Sequence, residues 1–246
     1  MSSASYVSLS SATVLERSLN STANNIANMS TTGFKASRPL IDSLSAGGTG
    51  SDGTDISFVQ DKGSYLDQSQ GALTRTENML DVAVSGTDWF SYESADGRTT
   101  YGRDGQLALS TDGVLLTTSG AAILDAGGGQ ITLPGDVGSQ IAIARDGTIT
   151  DREGNALGRI GLFSIANPDA MLPIGGGMYV DPGEAGVGAS EGSAVLQGFL
   201  EGSNVQPTVE VTRLMDIQRA YERAIKVIDQ TDELTRTAIQ SISRSV

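Results

Sequence analysis

The sequence predicts an α+β protein whose N- and C-terminal helices pair as a coiled-coil-like unit, with a central, mainly antiparallel β domain between them. Three observations carry this. Apolar residues near the start fall at helical spacing, the end holds about 35 residues without Gly or Pro, and the middle breaks into short strand-like runs separated by glycine-rich turns. The expected segments are residues 1–36 for the N-terminal helix, 37–75 for an extended connecting region, 76–195 for the β domain, and 196–246 for a strand-like lead-in and the C-terminal helix.

The first helix is read from about Val7 to Met29. Leu9, Ala12, Leu15, Leu19, Ala23 and Ile26 form one stripe. Ser, Thr and Asn supply 17 of residues 1–35, and their side chains compete for backbone groups, so this helix needs a partner to persist. Gly33, after Ser30-Thr31-Thr32, suits a positive φ at the helix end. Residues 43–57 read as a linker or long loop rich in Gly, Ser, Thr and Asp.

From Gly71 to about Ser193 come runs such as "LDVAVSG", "WFSYES", "QLALS" and "RIGLFSI". Asp-Gly pairs at 52, 96, 104, 112 and 146 punctuate this half of the chain, and Asp-Gly supplies the positive φ of tight hairpin turns. The last helix is expected from Thr208 to Ile242, after Pro207. Two heptad rows run through it, Val211, Gln218, Ile225, Asp232 and Ile239 on one and Leu214, Tyr221, Ile228, Thr235 and Ile242 on the other.

Composition excludes much chemistry. There is no Cys and no His, so disulfides, thiolate metal sites, Ser/His and Cys/His arrangements and the commonest zinc ligand are absent. The net charge of −13 argues against nucleic acid or an anionic membrane as partner. Residues 1–40 carry +2 and residues 204–246 are neutral, which leaves −15 for the middle. No apolar run approaches a membrane span, and the first twenty residues lack the basic and apolar regions of a secretory signal. The triple glycines at 127–129 and 175–177 lack the Lys-Ser/Thr of a phosphate loop and read as loops, and Trp89-Phe90 reads as core. The acids of residues 146–155 lack EF-hand spacing and read as turn residues. No catalytic residue, cofactor or metal is expected. Asn24, Asn25 and Asn28 are left between two readings: solvated residues near a helix end, or amides that join closely packed helices.

The run "SLNSTANNIANMSTTGFKASR" (18–38) resembles the N-terminal signature of the flagellar rod and hook proteins through Leu19, Asn24, Asn25, Ile26, Ala27, Asn28, Thr31, Gly33, Phe34 and Lys35. "QGFLEGSNVQPTVEVTRLMDIQRAYE" (197–222) is similar to the C-terminal pattern of that family through Gln197, Gly198, Glu201, Ser203, Asn204, Val205, Arg219, Tyr221 and Glu222. Residues 71–120 are similar to its central pattern, including Tyr101, Arg103 and Gly105, with Asp88 and Trp89 standing where relatives carry Gly and Phe.

The resemblance implies an axial structural subunit, with both helices in the inner wall of a tube and the β domain outward. Length and central architecture favour a proximal-rod member over a distal-rod one. The implied partners are copies of itself, other rod proteins and the flagellar export apparatus. The implied location is the basal-body rod, reached without a cleaved signal peptide. The expected assembly interface is Leu15, Leu19, Asn24, Asn25, Ile26, Asn28, Gly33 and Phe34 at one end and Leu214, Tyr221, Ile225, Ile228 and Ile239 at the other. The competing readings are a soluble module whose β domain binds a ligand, and a hydrolase using carboxylates alone.

Overall fold

The computed structural model describes residues 3–46, 56–134, 141–190 and 192–244. The chain divides into two compact units. One comprises the described parts of Met1–Ala27, Ser37–Tyr65 and Gln206–Val246, the other Asn28–Ala36 with the described parts of Leu66–Val205.

The first unit holds α1 (Ser3–Ala27), the two-stranded sheet of β1 (Ser37–Ala46) and β2 (Ile56–Leu66), and α2 (Pro207–Arg244). The stretch expected as linker is thus strand up to Ala46 and again from Ile56. The rest of it, with the Asp52-Gly53 pair, lies outside the described residues. α1 packs against both α2 and β1. Pro207 opens α2, where its missing N–H has no intrahelical partner to lose, and the Glu210 amide closes the first turn on the Gln206 carbonyl at 3.0 Å.

The buried face of α1 differs from the apolar stripe. Its most buried residues include Val14, Ser18, Thr22 and Asn25, spaced by 4, 4 and 3, while Leu15, Leu19 and Ile26 are half-buried and Leu9 and Ala23 exposed. The polar groups go inward because they are satisfied there. Ser18 Oγ donates to the Val14 carbonyl at 2.9 Å. Ser21 Oγ and Asn25 Nδ2 both donate to the Ser37 carbonyl, each at 2.9 Å, and Asn25 Oδ1 accepts the Ser37 amide at 3.0 Å.

In α2 the half-buried residues are Leu214, Ile217, Ala220, Tyr221, Ala224, Ile225, Ile228 and Thr231. The row of Leu214, Tyr221 and Ile228 is therefore on the sheltered face as expected. Its companion is Ile217, Ala224 and Thr231 rather than the row of Val211, Gln218 and Asp232, which is exposed except at Ile225. The shift has a simple cause: turning the helix by one position removes Gln218 and Asp232 from the contact and brings in an isoleucine and two small side chains. The side chains of Thr235, Ile239 and Ile242 lie outside the described residues.

The second unit is built from short strands: β3 (Leu73–Arg75), β4 (Val82–Ser85), β5 (Trp89–Glu93), β6 (Thr99–Gly102), β7 (Leu107–Leu109), β8 (Leu115–Thr117), β9 (Ala122–Ile123), β10 (Ala142–Ile143), β11 (Thr148–Thr150), β12 (Ala156–Arg159), β13 (Leu162–Ile165), β14 (Leu172–Gly175), β15 (Met178–Val180), β16 (Val187–Ala189), β17 (Ala194–Gln197) and β18 (Phe199–Glu201). The main sheet runs β14-β15-β6-β5-β9-β8-β7, with β13 also pairing β5 and β16 pairing β13. β10-β11-β12, β4-β17 and β3-β18 form smaller sheets. The pairs within this unit are antiparallel.

One core gathers Val82, Val84, Phe90, Tyr92, Leu115, Ile123 and Ile149, and a second surrounds Trp89 with Leu66, Met171, Tyr179 and Ala185. Trp89 and Phe90 are core residues, 2% and 0% exposed. The Asp-Gly pairs at 96, 112 and 146 are turns whose glycines have φ of 77°, 81° and 84°. The pair at 104 is not. Gly105 stands there because the Val82 backbone presses on it, its carbonyl oxygen only 1.6 Å from where a Cβ would be.

Candidate functional site

Charged and glycine residues from each of the three sequence signatures converge inside the second unit. Gly33, Phe34 and Lys35 follow α1, Arg103 follows β6, and Glu201 ends β18. Lys35, Arg103 and Glu201 are each 1% exposed. Glu201 is the hub. Its Oε1 accepts Lys35 Nζ at 2.6 Å and the Gly71 amide at 3.0 Å, its Oε2 accepts Arg103 Nη1 at 3.1 Å, and its backbone carbonyl accepts the Gly33 amide at 2.8 Å.

The two cations are held further. Lys35 Nζ donates to the Ser69 carbonyl at 2.7 Å, and Arg103 Nη2 to the Gly86 carbonyl at 2.9 Å. The Arg103 guanidinium also lies 5.5 Å from the centre of the Trp89 ring, which stands edge-on to Tyr179. Burial lowers the Lys35 pKa, and the hydrogen bond and charge of Glu201 oppose that shift.

Hydrogen bonds close the rim. Asn204 Oδ1 accepts the Ala36 amide at 2.8 Å, and its Nδ2 donates to the Asp67 and Ser69 carbonyls at 2.8 and 3.1 Å. Thr32 Oγ1 donates to Asp104 Oδ1 at 2.7 Å, and burial raises the pKa of that carboxyl. Phe34, Ala36 and Val205 form a small buried cluster of their own. Gln197 bonds to the backbone of Met79, Ile141 and Ile143. Asp88 and Trp89, where the chain departs from the family pattern, are also put to use: Asp88 Oδ2 accepts the Ser193 amide at 3.1 Å.

Of the residues expected at an assembly interface, Gly33 and Phe34 are buried in the second unit, and Asn25 is buried in the first, bonded to Ser37. Leu15, Leu19, Ile26, Asn28, Leu214, Tyr221, Ile225 and Ile228 are half-buried, and Asn24 is exposed. Ile239 has its side chain outside the described residues. Lys35, Arg103, Glu201 and Asn204 were missed as site residues. The available signal was that Lys35, Arg103 and Glu201 are each charged residues at matched positions of the three family patterns.

Two tyrosines anchor this cluster and make it alkali-sensitive. Tyr92 donates to the Asp104 carbonyl at 2.6 Å and Tyr179 to the Lys35 carbonyl at 3.3 Å. Burial pushes the Tyr92 pKa well above its usual value and that of Tyr179 up to about 12. Between about pH 10 and pH 12 the folded chain keeps the Tyr179 proton while the unfolded chain releases it, so stability falls as pH rises through that window, by on the order of 2 kcal/mol for this residue. Tyr179→Phe loses one hydrogen bond, about 1 kcal/mol at neutral pH, and makes the alkaline decline less steep. Urea unfolding across that pH range measures both; an unchanged slope would refute the assignment.

Among the described residues no group of three or more carboxylates is placed to hold a metal ion. A cleft of about 240 Å³ in the β unit is lined by Asp146, Arg159, Ile160, Ser190 and Ser193 among others. That is below the roughly 300–1,000 Å³ of typical small-molecule sites. No described helix is long and apolar enough to cross a membrane.

Three family models match the chain: "Flagella basal body rod protein" over residues 6–35, "Flagellar hook protein FlgE/F/G D1 domain" over 83–151, and "Flagellar basal body rod FlgEFG protein C-terminal" over 196–241. The flagellar basal-body rod protein FlgF of Caulobacter vibrioides is 36% identical over 99% of both chains. That of Mesorhizobium japonicum is 33% identical over 96% of both. The rod protein FlgG of Agrobacterium fabrum is 34% identical over 86% of this chain and 88% of its own.

Proposed function

The chain belongs to the flagellar basal-body rod protein family, and from that premise we propose how it works as a structural subunit of the proximal rod: the paired helices form its assembly module and the buried charge cluster keeps its β unit rigid under load. The observation that carries this is the separation of roles among the signature residues. Lys35, Arg103 and Glu201 are buried within one unit, whereas Leu19, Ile26 and Tyr221, with their neighbours Leu15 and Ile225, remain half-exposed on helices that already pack together. Apolar side chains left half-covered on a helix pair are suited to neighbours in a helical array. Asn24 and Asn28 lie beside them and supply amides to such contacts.

The partners proposed are other rod proteins and further copies. During secretion the chain engages the flagellar export apparatus and keeps the residues of α1, so peptides covering residues 3–17 are expected from purified basal bodies. The role is mechanical, not catalytic: the subunit transmits torque.

Ile225→Asp tests the assembly module. An aspartate introduced at a covered position puts an unpaired carboxylate into every repeat of the array, costing about 3 kcal/mol or more each time. Motility of a strain lacking the protein should not be restored by this variant, while the β unit of the purified chain melts as that of wild type does. Normal motility would place Ile225 in solvent in the assembled rod and would refute the module as drawn.

A further inference from the structure

We propose that Asp104, set against Asp81 inside the β unit, is an acid-sensitive latch: when Asp104 takes up a proton, the unit holds the segment that follows α1 more tightly. The inference goes beyond the structural-subunit reading and does not depend on it. Asp81 and Asp104 are 4% and 8% exposed, and among the described residues neither forms an ion pair.

Backbone pairing brings the two acids to one place. Asp81 and Gln106 are partners in an antiparallel bridge, and the Val82 amide donates to the Gly105 carbonyl at 2.9 Å. The Gln106 amide in turn donates to Asp104 Oδ1 at 3.1 Å. The same oxygen accepts Thr32 Oγ1 at 2.7 Å, and Thr32 directly precedes Gly33 in the segment that brings Lys35 into the unit. Asp81 Oδ1 accepts Asn78 Nδ2 at 3.0 Å.

The cations of this core are engaged elsewhere. Lys35 goes to Glu201 and the Ser69 carbonyl, and Arg103 to Glu201 and the Gly86 carbonyl. From β5 the Tyr92 phenol donates to the backbone carbonyl of Asp104 and not to its carboxylate. Asp104 is thus a covered carboxylate with hydrogen bonds in support and a second carboxylate against it. Burial raises its pKa, the Thr32 and Gln106 hydrogen bonds oppose that shift, and the charge of Asp81 adds to it.

The folded chain therefore binds a solvent proton at a pH where the unfolded chain does not. Stability rises as pH falls through the raised pKa toward the usual carboxylate value near 4. Protonated Asp104 keeps Oδ1 as the acceptor for Thr32 and Gln106 and no longer repels Asp81. Asp42, Asp96, Asp146, Asp151 and Asp181 are instead held below the usual range by hydrogen bonds, so their contributions are lost mainly below about pH 4. The chain has no histidine to titrate between that pH and neutrality.

Urea unfolding of the full chain, followed by the fluorescence of Trp89 from about pH 7.5 to about pH 4.5, tests the latch. The wild-type midpoint should rise as the pH is lowered. Asp104→Asn keeps the Oδ1 acceptor without the charge, so its midpoint should exceed that of wild type at the higher pH and lose most of the pH response. Asp81→Asn should shrink the response. Thr32→Val removes the hydroxyl that favours ionised Asp104, so it should lower the midpoint more at the higher pH than at the lower, which reads the hold on the segment itself. A wild-type midpoint that stays constant or falls on acidification would overturn the proposal. So would an Asp104→Asn chain that is unfolded or less stable than wild type at the higher pH, because the carboxylate charge would then be satisfied where it lies. A full response retained in Asp104→Asn would assign it to the net charge of −13 and reject the latch, and an equal loss in Thr32→Val at both pH values would reject the link to the segment.

Discussion

Glu201→Ala should destabilise the β unit by about 3–5 kcal/mol, because it strands two cations in the interior. Lys35 Nζ and Arg103 Nη1 both take Glu201 as their acid, at 2.6 and 3.1 Å, and both side chains are 1% exposed. The Gly71 amide loses its acceptor as well. Lys35→Met is the contrasting change. It removes one cation and leaves Glu201 paired with Arg103, so it should be far milder than Glu201→Ala, although the two substitutions break the same 2.6 Å contact. The single tryptophan, Trp89, is 2% exposed and lies in the same core, so its fluorescence reports the unfolding of this unit directly. In urea the Glu201→Ala midpoint should fall with little change in slope, and in a thermal scan the unit should melt roughly 10 °C lower. A midpoint equal to that of wild type would mean that the three charges do not hold the unit together.

Gly33→Ala should be comparably harmful, at roughly 3–5 kcal/mol, for steric reasons. Gly33 has φ of 66°, and an added Cβ would stand 2.2 Å from the Arg103 carbonyl carbon and 2.6 Å from the Asp104 nitrogen. Those are backbone atoms, so no rotamer change relieves the overlap. The displaced strand end would also pull Arg103 away from Glu201 and the Gly33 amide from the Glu201 carbonyl. An ordinary helix-ending glycine with open space around it would lose only about 1 kcal/mol to alanine. The size of the measured loss therefore separates a glycine needed for helix termination from one needed for close packing, and a loss near 1 kcal/mol would reject the packing role.

Much of the architecture was legible from the residues because it depends on local geometry. The spacing of apolar residues located α1 within a few residues. Pro207 and the absence of Gly and Pro beyond it located α2, and Asp-Gly pairs marked turns at 96, 112 and 146. Where the reading departed from the structure, the cause was non-local. The stripe of leucines on α1 was expected to be its buried face, but Ser18, Thr22 and Asn25 are more deeply buried because a hydroxyl or amide with backbone partners at hand can be covered at little penalty. The partner of Asn25 is the backbone of Ser37, twelve residues on, and nothing in the spacing of asparagines names it.

Residue pattern alone shows that the chain has helical ends around a β centre, that histidine and cysteine chemistry is closed to it, and, through its three signatures, which family it belongs to. Which of the signature residues meet is set by the three-dimensional fold. Lys35 and Glu201 are 166 residues apart and Arg103 and Glu201 are 98 apart, and a charged residue read in isolation belongs on the surface. Folding reverses that expectation because burial of one carboxylate with two cations and the surrounding backbone donors and acceptors compensates their charges together, with only the Arg103 Nε among their buried side-chain nitrogens and oxygens left without a partner, and no one of the three segments holds enough partners to compensate its own charge.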